Sequence, residues 1–151
     1  MKILVAYDGS PAADAALDHV LVRPCPEGPQ NRLLTVTETP MFYPTAEGIE
    51  CYPPLSEEVR QSILETARRS LQAAAGKLKA KSGIVPSCEL REGDVKHVLL
   101  KAIQEWKCDL VVVGSHGKKA LDRLFLGSVS HALVTHAPCD VEIVRPRRQA
   151  A

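Results

Sequence analysis

The chain has 151 residues, 25% of them charged, with 19 basic and 18 acidic side chains and a formal net charge of +1. That length suits one domain with one core, and the balanced charge leaves no basic half or stripe for a phosphate backbone, which argues against nucleic acid as the main partner. Five scattered cysteines with no C-x-x-C pair read as reduced thiols of a cytosolic protein, and Asp8 ends the opening apolar run too soon for a signal peptide or membrane span, so a cytoplasmic location is expected.

Short apolar runs alternate with longer segments of helical period, the pattern of a parallel sheet covered on both faces. Residues 2–7 (KILVAY) are the first predicted strand. In the DGSP that follows, Ser10 suits a helix N-cap and Pro11 the first helical position. The helix runs to about residue 22 with Ala13, Leu17 and Val20 on one side. A breaker-rich loop over 23–31 leads to a second strand at 32–38. Residues 39–54 carry Phe42, Tyr43 and Tyr52. This span is too long and proline-rich for a neutral connector; it reads as a self-packed surface loop, with a lid or partner surface as the alternative.

A long helix is predicted from Leu55, Val59, Ile63, Ala67, Leu71, Ala74 and Leu78, which recur every three or four residues and should face the sheet. Residues 84–92 give a third strand. Gly93-Asp94 opens a helix with Val95, Val98, Leu99, Ala102, Ile103 and Trp106 on one face, where Trp106 reads as core. CDLVVVG, 108–114, is apolar on both faces and so a central strand. A last helix over 127–136 and a last strand over 139–144 complete the pattern. The fold class is α/β: one doubly wound domain over 1–146 with a short polar tail at 147–151. Its five-stranded parallel sheet is expected in the order 3-2-1-4-5, with four helices on both faces. The ligand crevice of such a sheet lies at the carboxyl ends of the strands, near the switch in strand order.

Asp8 and Gly114 each end a strand and so share that rim. Three glycines follow in VVVGSHGKKALDRLFLGSVS, residues 111–130. Glycine admits close backbone approach and positive φ, while a helix start offers unpaired donors and a positive dipole end. Together these suit an anion, phosphates above all. Gly114 and Gly117 would form a turn against a polyphosphate. Gly127 and Ser128 would present amide and hydroxyl donors, Ser130 a second hydroxyl, and Lys118, Lys119 and Arg123 positive charge. GSHGKKA does not match a Walker A loop, which puts four residues between its glycines and ends in Lys-Ser/Thr, and no G-x-G-x-x-G follows the first strand. The structural alternative is that the glycines cap strands and permit close helix packing.

His116, inside the glycine turn, could touch a phosphate or act as an acid or base. No acidic partner is fixed by local spacing, and it reads as a solvent-facing turn residue. His136 and Cys139 straddle Ala-Pro at a helix end without a second ligand pair, so zinc is not expected. Asp8 either caps the first helix or serves the ligand, through hydrogen bonds to base or ribose or through a magnesium ion on phosphate oxygens.

The spacing Gly-x2-Gly-x9-Gly-Ser in GSHGKKALDRLFLGSVS resembles the nucleotide-binding signature of the universal stress protein family. ILVAYDGSPAADAAL, LLTVTE, EGDVKHVLLKAIQEWKCDLVVVG and LGSVSHALVTHAPCDVEIVRP extend the resemblance along nearly the whole chain. The glycine series is similar to that of the ATP-binding branch and is missing from the branch without ATP binding. The resemblance implies that the Ala6-Tyr7 backbone and Asp8 line the nucleotide pocket and that Val36 contacts adenine. It implies that Gly114, Gly117, Gly127, Ser128 and Val129 surround ribose and phosphates, with Ser130 beside them. ATP is the implied ligand, with magnesium and at most slow hydrolysis. The implied role is a nucleotide-dependent stress-response or signalling module that alters a partner interaction. A homodimer through the last strand is also implied, whereas Asp140 and Glu142 put charges on that edge that discourage pairing. Thr35 stands where the family often has histidine. Two other readings stay open: a nucleotide hydrolase or transferase using His116 and Asp8, and a nucleotide-independent interaction module acting through Phe42 and Tyr43.

Overall fold

The computed structural model describes residues 1–24, 28–38, 42–45, 48–51, 56–118 and 126–146. In chain order its elements are β1 (Lys2–Ala6), α1 (Pro11–Val22), β2 (Gln30–Thr37), β3 (Phe42–Thr45), β4 (Gly48–Cys51), α2 (Glu57–Ser82), β5 (Ser87–Glu92), α3 (Val95–Trp106), β6 (Leu110–Gly114), α4 (Ser128–His136) and β7 (Asp140–Val144). The main sheet has the order β5-β2-β1-β6-β7 with every neighbouring pair parallel. Counted along its own five strands, this is the expected order 3-2-1-4-5.

Unbroken apolar runs over 3–6 and 110–114 make the central strands β1 and β6, because both faces of the sheet are covered there. Ile3 and Val5 of β1, with Leu110 and Val112 of β6, pack among Leu17 of α1 and Leu71 and Leu78 of α2. Leu4, Val111 and Val113 pack on the other side among Leu99 and Ile103 of α3 and Leu133 of α4. Successive strand residues point to opposite faces, so each run fills two layers at once. Trp106 packs against the second layer as expected and lies under the Arg32 guanidinium, 4.3 Å from its ring centroid.

The helix starts follow the side chains that can cap them. Ser10 Oγ accepts from the Ala13 amide at 3.1 Å with Pro11 at the start of α1, and Asp94 accepts from the His97 amide at 2.9 Å at the start of α3. These contacts satisfy donors that a helix leaves unpaired. No described helix is long and apolar enough to cross a membrane.

Two expectations need correction. The long-helix stripe holds at Leu71, Ala74 and Leu78, which are buried, but Val59 and Ile63 are exposed and Leu64 is buried instead. Each step of four residues overshoots a helical turn by about 40°. Val59 therefore lies about 120° round from Leu71, and Leu64 nearly in line with it. The span 39–54 was expected as a loop, yet it contains the antiparallel pair β3–β4, with Phe42 opposite Cys51 and Thr45 opposite Gly48. Ladder bonds give that backbone partners that an irregular connection would lack. Tyr52, the side chains of Phe42 and Tyr43 and the tail 147–151 lie outside the described residues.

β7 is an edge strand, but Glu142 is not a bare edge charge. Its carboxylate is bonded by Arg23 and lies 3.0 Å from His19 Nε2, both contributed by α1 and its C-cap. At the end of β6, a Cβ on Gly114 would lie 2.7 Å from the carbonyl carbon of Ala12 and 2.8 Å from its Cβ. The first turn of α1 thus crosses β6 at backbone contact. At the end of α3, Lys107 caps the helix in the left-handed region with φ 50.

Gly114→Ala is expected to lose about 1–3 kcal/mol through forced separation of α1 from β6, read as a lower urea midpoint in nucleotide-free protein. An unchanged midpoint would show that α1 shifts freely there. Lys107→Gly is expected to raise stability by about 0.5–1 kcal/mol, because glycine removes most of the left-handed penalty and returns part of the gain as chain entropy. A fall in midpoint would contradict the cap geometry.

Candidate functional site

A cleft of about 460 Å³ opens over the carboxyl ends of β2, β1 and β6, on the side of the sheet covered by α3 and α4. Its size is that of a small-molecule site, and it lies where the strand order reverses. Ala6, Tyr7, Asp8, Val36, Gly114, Gly117, Gly127, Ser128, Val129 and Ser130 are brought together around it. Leu34, Glu38, Val95, Leu99 and Val113 also line it and were not singled out from sequence. The period of two through Val36 carries the signal for Leu34 and Glu38.

The three glycines hold three different things. Gly114 admits α1, as described above. A Cβ on Gly117 would lie 3.0 Å from Asp8 Oδ2, and one on Gly127 would lie 3.2 Å from His116 Cα. Of the two properties of glycine, this series does not use positive φ: the described glycines with positive φ are Gly9, Gly83 and Gly93. The series is required by close approach. Gly9, directly after Asp8, is the residue that needs the left-handed turn.

Two expected phosphate donors are also reassigned. The Gly127 amide donates to the Ser115 carbonyl at 2.8 Å, so it is already committed. Ser130, 2% exposed, donates its hydroxyl proton to the Gly114 carbonyl at 2.8 Å and ties α4 to β6. The donors that remain belong to the first turn of α4. Gly127 is its N-cap and makes no side-chain cap bond, and a helix leaves its first amides without internal partners. The exposed Ser128 hydroxyl lies beside them on the cleft.

Asp8 does not cap α1, because Ser10 does. Its Oδ1 accepts from the Ser10 amide at 2.9 Å and its Oδ2 from the Lys118 amide at 3.2 Å, which pins the glycine turn to the exit of β1. Tyr7 offers the cleft only its backbone. Its side chain packs in the opposite layer, where the phenol donates to Asp14 Oδ1 at 3.0 Å. Burial first, and then the Asp14 carboxylate, push its pKa up to about 12. The Tyr7 carbonyl accepts from Thr35 Oγ1 at 2.7 Å, so Thr35 braces the β1 exit.

His116 is half-buried and lines the cleft, which corrects its reading as a solvent-facing residue. Its Nδ1 lies 2.9 Å from Ser115 Oγ, so among the described residues its ring partner is a hydroxyl and not a carboxylate. Lys119 and Arg123 lie outside the described residues. Among the described residues no group of three or more His, Cys, Asp or Glu side chains is placed to hold a metal ion.

The model of the universal stress protein family matches residues 1–145. The chain is 32% identical over 149 residues to universal stress protein A homolog 2 of Coxiella burnetii, an alignment covering 95% of this chain and 94% of that protein. Its fold matches that of the universal stress protein UspA from Lactobacillus plantarum with a TM-score of 0.77 at 23% identity, over 96% of this chain and 97% of that one. It also matches a universal stress protein family protein from Arabidopsis thaliana with AMP bound, with a TM-score of 0.65 at 20% identity over 98% and 93% of the two chains. On the family model and the Coxiella relative together, this chain belongs to the universal stress protein family.

Proposed function

We propose that this universal stress protein binds ATP in the cleft, with magnesium, and serves as a nucleotide-dependent stress-response or signalling module whose occupancy alters a partner interaction. The observation that carries this reading is the start of α4. Its open amides and the Ser128 hydroxyl stand at one end of a cleft whose other walls are Leu34, Val36, Val95 and Leu99. A helix N-terminus attracts phosphate oxygens through its amides and its dipole, and apolar walls suit a flat base. Between them the Ala6–Tyr7 backbone and Asp8 are available to a ribose, and Lys118 adds positive charge beside Asp8. The AMP bound by the Arabidopsis relative supports an adenine nucleotide as ligand.

Asp8 fits a magnesium ion as one ligand among phosphate oxygens. Magnesium commonly takes only one or two carboxylates, and each Asp8 oxygen keeps a lone pair beyond its amide bond. When bound, the ion would neutralise phosphate charge; the chain's own residues bind and orient the nucleotide. Efficient hydrolysis needs a group that directs water, and among the described residues the ring partner of His116 is the Ser115 hydroxyl. Slow turnover at most follows, and the hydrolase reading is not favoured. The proposal extends to a homodimer through the edge over 139–144, since the tie of Glu142 to Arg23 removes one of the two charges opposing it.

Calorimetric titration of nucleotide-free protein should give affinity in the order ATP, ADP, AMP, with magnesium strengthening ATP. Ser128→Asp should weaken ATP at least about tenfold, about 1.4 kcal/mol. The same change favours the helix, because an acidic side chain suits its first turn. Folded protein that binds no nucleotide, or a Ser128→Asp variant that binds ATP like the parent, would defeat the proposal.

A further inference from the structure

We infer that Glu38 reads the base, its carboxylate accepting the exocyclic amino group of adenine and setting ATP apart from 6-oxo purines. The inference rests on the ATP reading above and names a residue that the glycine spacing does not point to. Leu34, Val36 and Glu38 are alternate residues along β2 and its exit, and all three line the cleft. Side chains two apart on a strand share a face. Leu34 is buried, Val36 half-buried and Glu38 exposed, so the apolar floor rises to the cleft mouth and ends at Glu38. A flat ring lying on Val36 presents its edge to Glu38.

The sheet order decides which end of the nucleotide that edge belongs to. β1 separates β2 from β6, and the start of α4 is tied to the end of β6 through Ser130 and Gly114. Two strand spacings, about 10 Å, therefore separate the strand of Glu38 from the strand that anchors the phosphate end. That spacing puts Glu38 on the β2 side of the cleft, away from the strand that anchors the phosphate end. The cleft is polarised, with helix amides and Lys118 at one end and a carboxylate at the other, so a nucleotide is accepted in one direction.

An ionised carboxylate only accepts hydrogen bonds, and its two oxygens together offer about four acceptor sites. The amino group of adenine donates, whereas the carbonyl of hypoxanthine at the same ring position accepts and would face a second acceptor. Discrimination against the mismatched group follows. Glu38 is exposed, and water at the mouth moderates the effect.

The test is calorimetric titration of the parent, Glu38→Ala and Glu38→Gln proteins with ATP, ITP and 2′-deoxy-ATP, each variant first shown to melt like the parent. The parent should prefer ATP to ITP by about tenfold. Glu38→Ala should reduce that preference below about threefold, and Glu38→Gln should do the same, because an amide can donate to the 6-oxo group. The ratio of 2′-deoxy-ATP to ATP should stay constant throughout. If the parent binds ATP and the ATP-to-ITP ratio is unchanged in both variants, the inference fails and the proposed function stands. A shift in the 2′-deoxy ratio instead would put Glu38 on the ribose and overturn the assignment. Absence of ATP binding in the parent would remove both.

Discussion

The Asp8 carboxylate joins the two chain segments from which the cleft is built. One oxygen holds the Ser10 amide and the other the Lys118 amide, so the exit of β1 and the turn after β6 keep a fixed relation across the switch in strand order. Hydrogen bonds to an ionised acceptor are shorter and stronger than neutral ones. The local consequences follow from this placement. Gly9 takes the left-handed turn with φ 77 that carries the chain from Asp8 to the Ser10 cap. At Gly117 a Cβ would press on Asp8 Oδ2 from 3.0 Å, so a side chain there would disturb this carboxylate.

The two faces of the sheet divide the work at this rim. On the α1–α2 side, Tyr7 is buried and bonded to Asp14, which also meets Lys77 at 3.3 Å, so the strand exit is braced from beneath. Thr35 adds a second brace from β2. On the α3–α4 side the same rim presents backbone, small residues and one apolar floor. A residue such as Tyr7 can thus belong to the cleft by its main chain and to the core by its side chain. Alternation along a strand makes this assignment automatic.

Much of this was legible because the signals were local. The runs ILVA and LVVVG carry no polar side chain, which suits a sheet covered on both sides. Ser10-Pro11 and Asp94 announced helix starts through chemistry confined to three or four residues. The glycine spacing marked the rim of the cleft, but not what each glycine touches. The contact of Gly114 with Ala12 joins residues about a hundred positions apart, and no short-range pattern encodes it. The α2 stripe failed for a geometric reason: steps of four satisfy the eye while drifting round the helix, so Val59 passed for core and Leu64 was overlooked. The antiparallel pair in 39–54 was hidden by prolines, one of which, Pro44, stands opposite Ile49 inside the ladder. Prolines are tolerated in edge strands, and a pair of two strands consists of edges alone.

The bond from the Gly127 amide to the Ser115 carbonyl closes a loop in the chain at the point where it leaves the cleft and returns to it. The ends of that loop are fastened to each other and, through the Ser115 amide, to the Val144 carbonyl of β7. These bonds fix the start of α4 against the end of β6 and β7. Closing a flexible loop of twice the length costs only about 0.6 kcal/mol more. A change of length between Lys118 and Gly127 would therefore cost little in loop entropy while both fastened ends keep their places. New recognition surfaces can accumulate there beside an unchanged pocket.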